Sequence, residues 1–316
     1  MLKSPHFFEG RLEQNRNYAV TLCMNAFTIK DLENLSGIKA HTIRIWEQRY
    51  TFLSPQRTDT NIRYYSNNEL QKVLNIALLN KYGYKISHID RMTPVEMNEK
   101  ILTLTQVEAQ QERLVNDLIY CMVDMKMEDF EAILDAYIAL KGIEKAIIQI
   151  IFPFLERIGI LWMTNHINPA QEHLVTNVIR QKLIVGIETV KSLFKAKTTV
   201  LLFLPESEHH ELGLLFAYYL LKSRGIKVLY LGANVPIKDV EYVTKLKSPS
   251  VLYAHLTSVG NNFNFERFLV NAHNRMPDRQ FIISGALTQS YKKKVPENFH
   301  FKRSLSEVME YISTLP

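Results

Sequence analysis

Cysteine is almost missing from this chain: only Cys23 and Cys121 occur among 316 residues, far apart and in no metal-ligand spacing. Their scarcity excludes a disulfide framework and a cysteine-rich metal centre, and it points to a reducing compartment. No apolar run is long enough to span a bilayer, and the N-terminus lacks the apolar block of a signal peptide, so a cytoplasmic protein is expected. Charge of one sign is not in great excess either. The formal balance is +6, and only its distribution can give it meaning. What is present is a chain 47% hydrophobic and 22% charged, able to bury real cores and long enough for two or three domains of about 100 to 200 residues each.

The most informative stretch is Pro205 to Gly213, read as PESEHHELG, between the apolar run Thr199 to Leu204 and the helical pattern Leu214 to Arg224. A short buried strand feeding a loop and then a helix is how an open parallel sheet presents residues at its carboxyl edge. An imidazole at His210 can ligate a metal, Glu208 can hold the other ring nitrogen, and Gly213 removes a side chain where a bulky group must approach. A single histidine makes no protein-only metal site, so the metal would arrive in a macrocycle. The bland alternative is a surface loop that happens to be rich in histidine. Glu-x-His-x-x-Gly resembles the cobalamin-binding domain of corrinoid proteins, where this pattern supplies the lower axial ligand to cobalt. That resemblance implies His210 as the cobalt ligand, with Glu208, Gly213, Gly232, Leu256, Ser284 and Gly285 at the cofactor. Two places depart from the family: Ala254-His255-Leu256 stands for the usual Ser-x-Leu, and Ser284-Gly285 for Gly-Gly. In the family both belong to the pocket for the cofactor's nucleotide tail.

Residues 1–23 show no periodicity and read as a disordered extension, and Met24 begins the patterned chain so cleanly that it could be the true start. From Phe27 the pattern is a helix-turn-helix. Thr28 caps a helix that carries Ile29, Leu32 and Leu35, Ser36-Gly37 ends it, and a second helix runs from Lys39 to Tyr50 with Ile43 and Trp46 facing inward. His41, Thr42 and Arg44 then face outward near its start, the end that groove-reading helices use. A turn-rich ribbon from Leu53 to Tyr65 carries Arg57 and Arg63, and a third helix follows from Asn67 to Tyr82. Between residues 24 and 95 ten Lys or Arg face six Asp or Glu, a net +4 (10 − 6) that suits phosphate contacts. The order resembles the winged helix-turn-helix DNA-binding domain of the MerR family, which implies DNA contacts from His41, Thr42, Arg44, Arg49, Arg57, Arg63 and Tyr65. A helical protein-interaction module is the plain alternative.

Residues 93–104 read as a hinge, and from Glu108 to Lys191 a helical period is interrupted near Gly142, Pro153 and Asn168-Pro169, as in a four-helix bundle. Asn168, Pro169 and Gln171 form a capping pattern, which puts Glu172 and His173 on a helix's opening turn. Trp162 stands ahead of them as Trp-x9-Glu-His. A tryptophan filling a core is the ordinary reading of such a residue. The spacing is also similar to the signature of cobalamin-dependent MerR-type regulators of the CarH and LitR kind, in which tryptophan and glutamate embrace the upper-axial adenosyl group. Where light-responsive members place a histidine after the tryptophan, this chain has Met163, a weaker donor to oxidised cobalt. A photoproduct with histidine on both faces is therefore not expected from this position.

Residues 197–316 alternate strand and helix, as in a doubly wound parallel sheet of flavodoxin-like type. Lys292 to Lys294 read as a solvated loop. The expected architecture is a multidomain α plus α/β chain: an extension (1–23), a winged helix-turn-helix (24–95), a helical bundle capping the cofactor (105–192) and a Rossmann-like cobalamin-binding domain (197–316). The resemblance implies a regulator, most often a repressor, without enzymatic activity. It would bind double-stranded operator DNA and adenosylcobalamin as a dimer or tetramer, with possible light response. The altered tail-pocket residues leave open a regulator that senses a protein partner or another ligand. A corrinoid carrier for methyl transfer is a third reading, opposed by the helix-turn-helix and by Trp-x9-Glu-His.

Overall fold

A computed structural model describes residues 26–58, 60–163, 167–192, 196–257 and 263–316, with the side chains of 160–163 excluded. The expected extension and Met24 lie outside the described residues. Two compact units divide between Val178 and Ile179.

The first unit begins with α1 (Ile29–Ser36), whose start is fixed by a reciprocal cap: Thr28 Oγ1 accepts the Asp31 N–H at 3.3 Å and the Asp31 carboxylate accepts the Thr28 N–H at 2.7 Å. Gly37, at φ 73°, ends the helix in a left-handed turn. The next helix, α2 (Ala40–Arg49), buries Ile43 and Trp46 and leaves His41, Arg44 and Arg49 exposed. Strands β1 (Gln56–Arg57) and β2 (Arg63–Tyr64) pair antiparallel as the wing, and α3 (Asn67–Lys81) follows from a capping box at Ser66 and Glu69.

After the short α4 (Ile86–Ile89) comes a difference from expectation. The stretch read as a hinge is α5 (Pro94–Leu102), started by a Thr93–Glu96 capping box with Pro94 in its first turn. Met97, Ile101 and Leu104 pack in one cluster with Trp46, Ile76 and Leu79. Burial of this apolar face holds the segment on the helix-turn-helix and makes it part of that core.

The bundle consists of α6 (Val107–Val123), α7 (Met127–Lys141), the short α8 (Ile143–Ala146), a π-helical turn (Ile147–Ile151), α9 (Phe152–Met163) and α10 (Pro169–Thr189). Pro153 does not break the helix, because the wider turn just before it absorbs the lost hydrogen bond. Arg157 of α9 donates to Asn116 Oδ1 of α6 at 2.6 Å within the bundle and reaches out of it to the Leu35 carbonyl, an end group of α1.

The second unit carries a five-stranded parallel sheet: β3 (Thr199–Pro205), β4 (Lys227–Val235), β5 (Val251–His255), β6 (Gln280–Ser284) and β7 (Phe299–Lys302), in the order β4-β3-β5-β6-β7. Helices α11 (Leu212–Ser223) and α15 (Leu305–Thr314) cover one face, and α12 (Ile237–Lys247) and α13 (Phe265–Arg275) the other, with the short α14 (Ala286–Ser290) after β6. The expected doubly wound class is present, and strand order reverses between β3 and β5, the switch point where such sheets take ligands. Helix α12 and strand β7 complete the alternation, and β4 runs through Gly232 to Val235.

Candidate functional site

His41, Thr42 and Arg44 lie on the opening turns of α2 with their side chains outward or partly so, opposite the buried pair Ile43 and Trp46. Arg57 donates to Asn61 Oδ1 at 2.7 Å, which braces the wing tip, where Asn61 itself takes a φ of 64°. Arg63 is tied back to Glu47 on α2 at 3.1 Å. Tyr65 corrects the sequence reading: its side chain is fully buried, its hydroxyl donates to Glu47, and its backbone pairs with Phe27. Burial and the adjacent Glu47 carboxylate raise its pKa, so the phenol stays protonated. Tyr65 fastens wing to helix and offers no surface to DNA. Glu47, which the spacing did not single out, receives both Arg63 and Tyr65.

At the opening of α10, Asn168 Oδ1 accepts the Ala170 N–H at 2.8 Å and Gln171 Oε1 accepts the Asn168 N–H at 3.0 Å, the reciprocal cap expected from the sequence. Buried Gln171 also donates to the Val123 carbonyl at 2.9 Å, anchoring this turn to the end of α6. Glu172 and His173 stand side by side, carboxylate to Nδ1 3.5 Å, with the His173 side chain well exposed. The backbone at Trp162 and Met163 is in α9; their side chains lie outside the described residues.

The carboxyl edge of the sheet holds the strongest constellation. Glu208 is fully buried, yet its oxygens are satisfied: Oε1 accepts the His209 and His210 N–H groups, each at 2.9 Å, and Oε2 accepts the Thr257 N–H at 3.0 Å. The same Oε1 faces His210 Nδ1 at 2.6 Å. The carboxylate therefore fixes the tautomer and orientation of a ring whose side chain is 53% exposed. Asn234, at φ 57°, braces the loop from β4 by accepting the Ser207 N–H at 3.0 Å and donating its own N–H to the Glu208 carbonyl at 3.1 Å. Glu211 accepts from Arg180 of α10 and, at 2.9 Å, from the Tyr230 hydroxyl. It also lies 3.3 Å from where a Cβ on Gly232 would stand.

Two glycines turn out to serve the protein's own packing. A Cβ on Gly213 would lie 2.3 Å from His255 Nε2, so the space expected for a cofactor is taken by an imidazole. At Gly285, φ is 99° and a Cβ would lie 2.3 Å from the Leu256 carbonyl oxygen, so backbone geometry alone demands glycine. Leu256 and Ser284 are both buried. Ser284 Oγ bridges the Tyr253 hydroxyl at 2.6 Å and His255 Nδ1 at 2.8 Å. Burial chiefly lowers the His255 pKa, to about 4, with His210 nearby adding to the shift and Glu208 opposing it. The ring is neutral at physiological pH and shares a hydrogen bond with the serine hydroxyl through Nδ1.

Among the described residues no cluster of three or more His, Cys, Asp or Glu is arranged to hold a metal ion. One imidazole oriented by a buried carboxylate suits a metal that brings its own equatorial donors, and in that respect His210 and Glu208 fit a corrinoid.

Residues 27–95 match the family described as MerR HTH family regulatory protein, and residues 114–185 match the one described as B12 binding domain. The chain thus joins a MerR-type helix-turn-helix to a B12-binding module. It is similar to the HTH-type transcriptional repressor CarH of Myxococcus xanthus, 26% identical over 273 residues that cover 84% of this chain and 91% of that one. HTH-type transcriptional repressor CarA of the same organism is 28% identical over 226 residues, 71% of this chain and 74% of the relative. Among solved structures, the monomethylamine corrinoid protein of Methanosarcina barkeri aligns with 64% of this chain and 97% of its own at a TM-score of 0.49 and 13% identity. No helix among the described residues is long and apolar enough to cross a membrane.

Proposed function

We propose that this chain is a transcriptional repressor whose hold on operator DNA is switched by adenosylcobalamin. The observation that carries the proposal is the buried Glu208 gripping an outward His210 in a chain that also carries a MerR-type reading head. When bound, cobalamin supplies a cobalt centre with an exchangeable upper ligand. His210 is assigned as lower ligand and Glu208 as its orienting partner. Trp162, Glu172 and His173 are assigned to the upper ligand, and Met163 offers no imidazole to replace it. On the DNA side, His41, Thr42 and Arg44 read the groove while Arg49, Arg57 and Arg63 hold the backbone. A change in the cofactor shifts the equilibrium between oligomeric states, dimer or tetramer, that present the reading heads differently.

The test is a visible absorption spectrum of the protein mixed with adenosylcobalamin in the dark, desalted, and read again after green illumination, alongside an operator-fragment mobility shift. Retained corrin, with DNA retention that depends on the cofactor, supports the proposal. The imidazole over Gly213 favours a second reading, a MerR-type regulator that senses a protein partner or another ligand. A colourless protein that still shifts DNA would select it.

A further inference from the structure

We infer that His255 is a displaceable plug that makes this chain discriminate between corrinoids with and without a nucleotide base. The inference rests on His210 as the lower cobalt ligand. Cobalt has one lower axial position, and in free cobalamin the cofactor's own benzimidazole can occupy it. If His210 takes that position the base must leave the metal. It stays tethered to the same face of the corrin and so must be housed on the protein's side, next to His210.

The place next to it is the switch point between β3 and β5, flanked by Gly213 on α11 and by Ser284, the last residue of β6. His255, the last residue of β5, fills it. Three of its ring atoms, Nε2, Cδ2 and Cε1, lie 2.3, 2.4 and 2.8 Å from the position of a Cβ on Gly213, so the imidazole lies against the bare glycine. Its other side is tethered through Nδ1 to Ser284 Oγ at 2.8 Å, and the serine to Tyr253 at 2.6 Å. A fused two-ring base cannot share a space that one imidazole already fills. The base enters only after His255 gives up its bond to Ser284 and swings out. Loss of one such hydrogen bond lowers affinity about tenfold. A corrinoid without the base, such as cobinamide, leaves the plug in place and escapes the penalty.

The experiment is a visible-absorption titration of the full-length protein with hydroxocobalamin and with diaquacobinamide, for the wild type, His255→Ala, Ser284→Ala and His210→Ala. His255→Ala is expected to tighten cobalamin about tenfold and to leave cobinamide unchanged, the latter doubling as the check that the variant is folded. Ser284→Ala, which cuts the tether and keeps the ring, is expected to move cobalamin the same way by less. Equal weakening of both corrinoids in both variants, or an unchanged cobalamin affinity in His255→Ala, overturns the plug. Loss of both corrinoids in His255→Ala with His210→Ala unaffected makes His255 the ligand and overturns it too. A wild type that binds neither corrinoid removes the assignment of His210 itself, a different failure from a plug that does not discriminate.

Discussion

Replacing Glu208 by glutamine keeps the side chain's volume and removes its charge and one of its acceptor oxygens. In the protein Oε1 serves the His209 and His210 N–H groups and His210 Nδ1, and Oε2 serves the Thr257 N–H. A glutamine carbonyl can keep only one of these sides. Keeping the Oε1 side loses least, and its NH2 group then faces the Thr257 N–H, donor against donor. A buried donor left without an acceptor costs about 1–3 kcal/mol. The surviving bond to His210 also changes from charge-assisted to neutral, with about half the strength. Two effects are therefore expected from Glu208→Gln. The apo-protein's melting temperature falls, by about 2–4 °C for each kcal/mol in a protein of this size class. Cobalamin binding weakens about 10- to 100-fold, the usual effect of removing the partner that orients a metal-binding histidine. Calorimetric melting reads the first and a visible titration the second, with DNA binding by the apo-protein as control for global folding. A variant with wild-type corrin affinity would falsify the view that this carboxylate orients the ligand.

Tyr65→Phe removes a hydroxyl buried against Glu47 and is expected to cost about 1 kcal/mol of stability while leaving operator affinity unchanged; Arg57→Ala, by contrast, should weaken all DNA sequences alike and reduce the salt slope by about one unit. Both are read by mobility shift at several salt concentrations. Gly285→Ala forces a side chain into a left-handed backbone and against the Leu256 carbonyl, so its yield of folded protein by gel filtration should collapse. His255 has a pKa lowered to about 4, so the unfolded chain binds its proton first. Its contribution to stability is complete above the unfolded value and is lost as pH falls from about 6.5 toward 4, at up to about 1.4 kcal/mol per pH unit. Denaturant melts at stepped pH should show a shallower loss in His255→Gln.

Local signals in the sequence located much of this architecture. Thr28 and Gly37 delimit α1 as capping chemistry predicts, and the spacing of Ile43 and Trp46 defines the buried side of α2. The apolar run after Thr199 is β3, and its loop delivers Glu208 and His210 to the sheet edge. What escaped depended on partners distant in the chain. Thr93, Pro94 and Glu96 already spelled a helix start, but the worth of α5 lies in Met97 and Ile101 meeting Trp46 some fifty residues upstream. The four-residue β7 is too short to show a period, and Pro236 ahead of α12 suits a loop as well as a helix start. Tyr65 looked presentable in an arginine-rich wing because nothing local reveals that Glu47 and Phe27 enclose it. At Gly213 the spacing pointed to the right place without revealing its neighbour: the side chain against the glycine is His255, forty-two residues later (255 − 213).

The docking of α5 bears on how the reading head is to be isolated. The segment with MerR resemblance ends at residue 95, and a fragment trimmed there would lose Met97, Ile101 and Leu104. That would unroof Trp46 and its neighbours Ile76 and Leu79 and leave a sticky apolar patch beside the helix meant for DNA. Gel-shift work on such a fragment would measure clumping as much as recognition. A minimal piece that keeps its own roof has to run past Leu104.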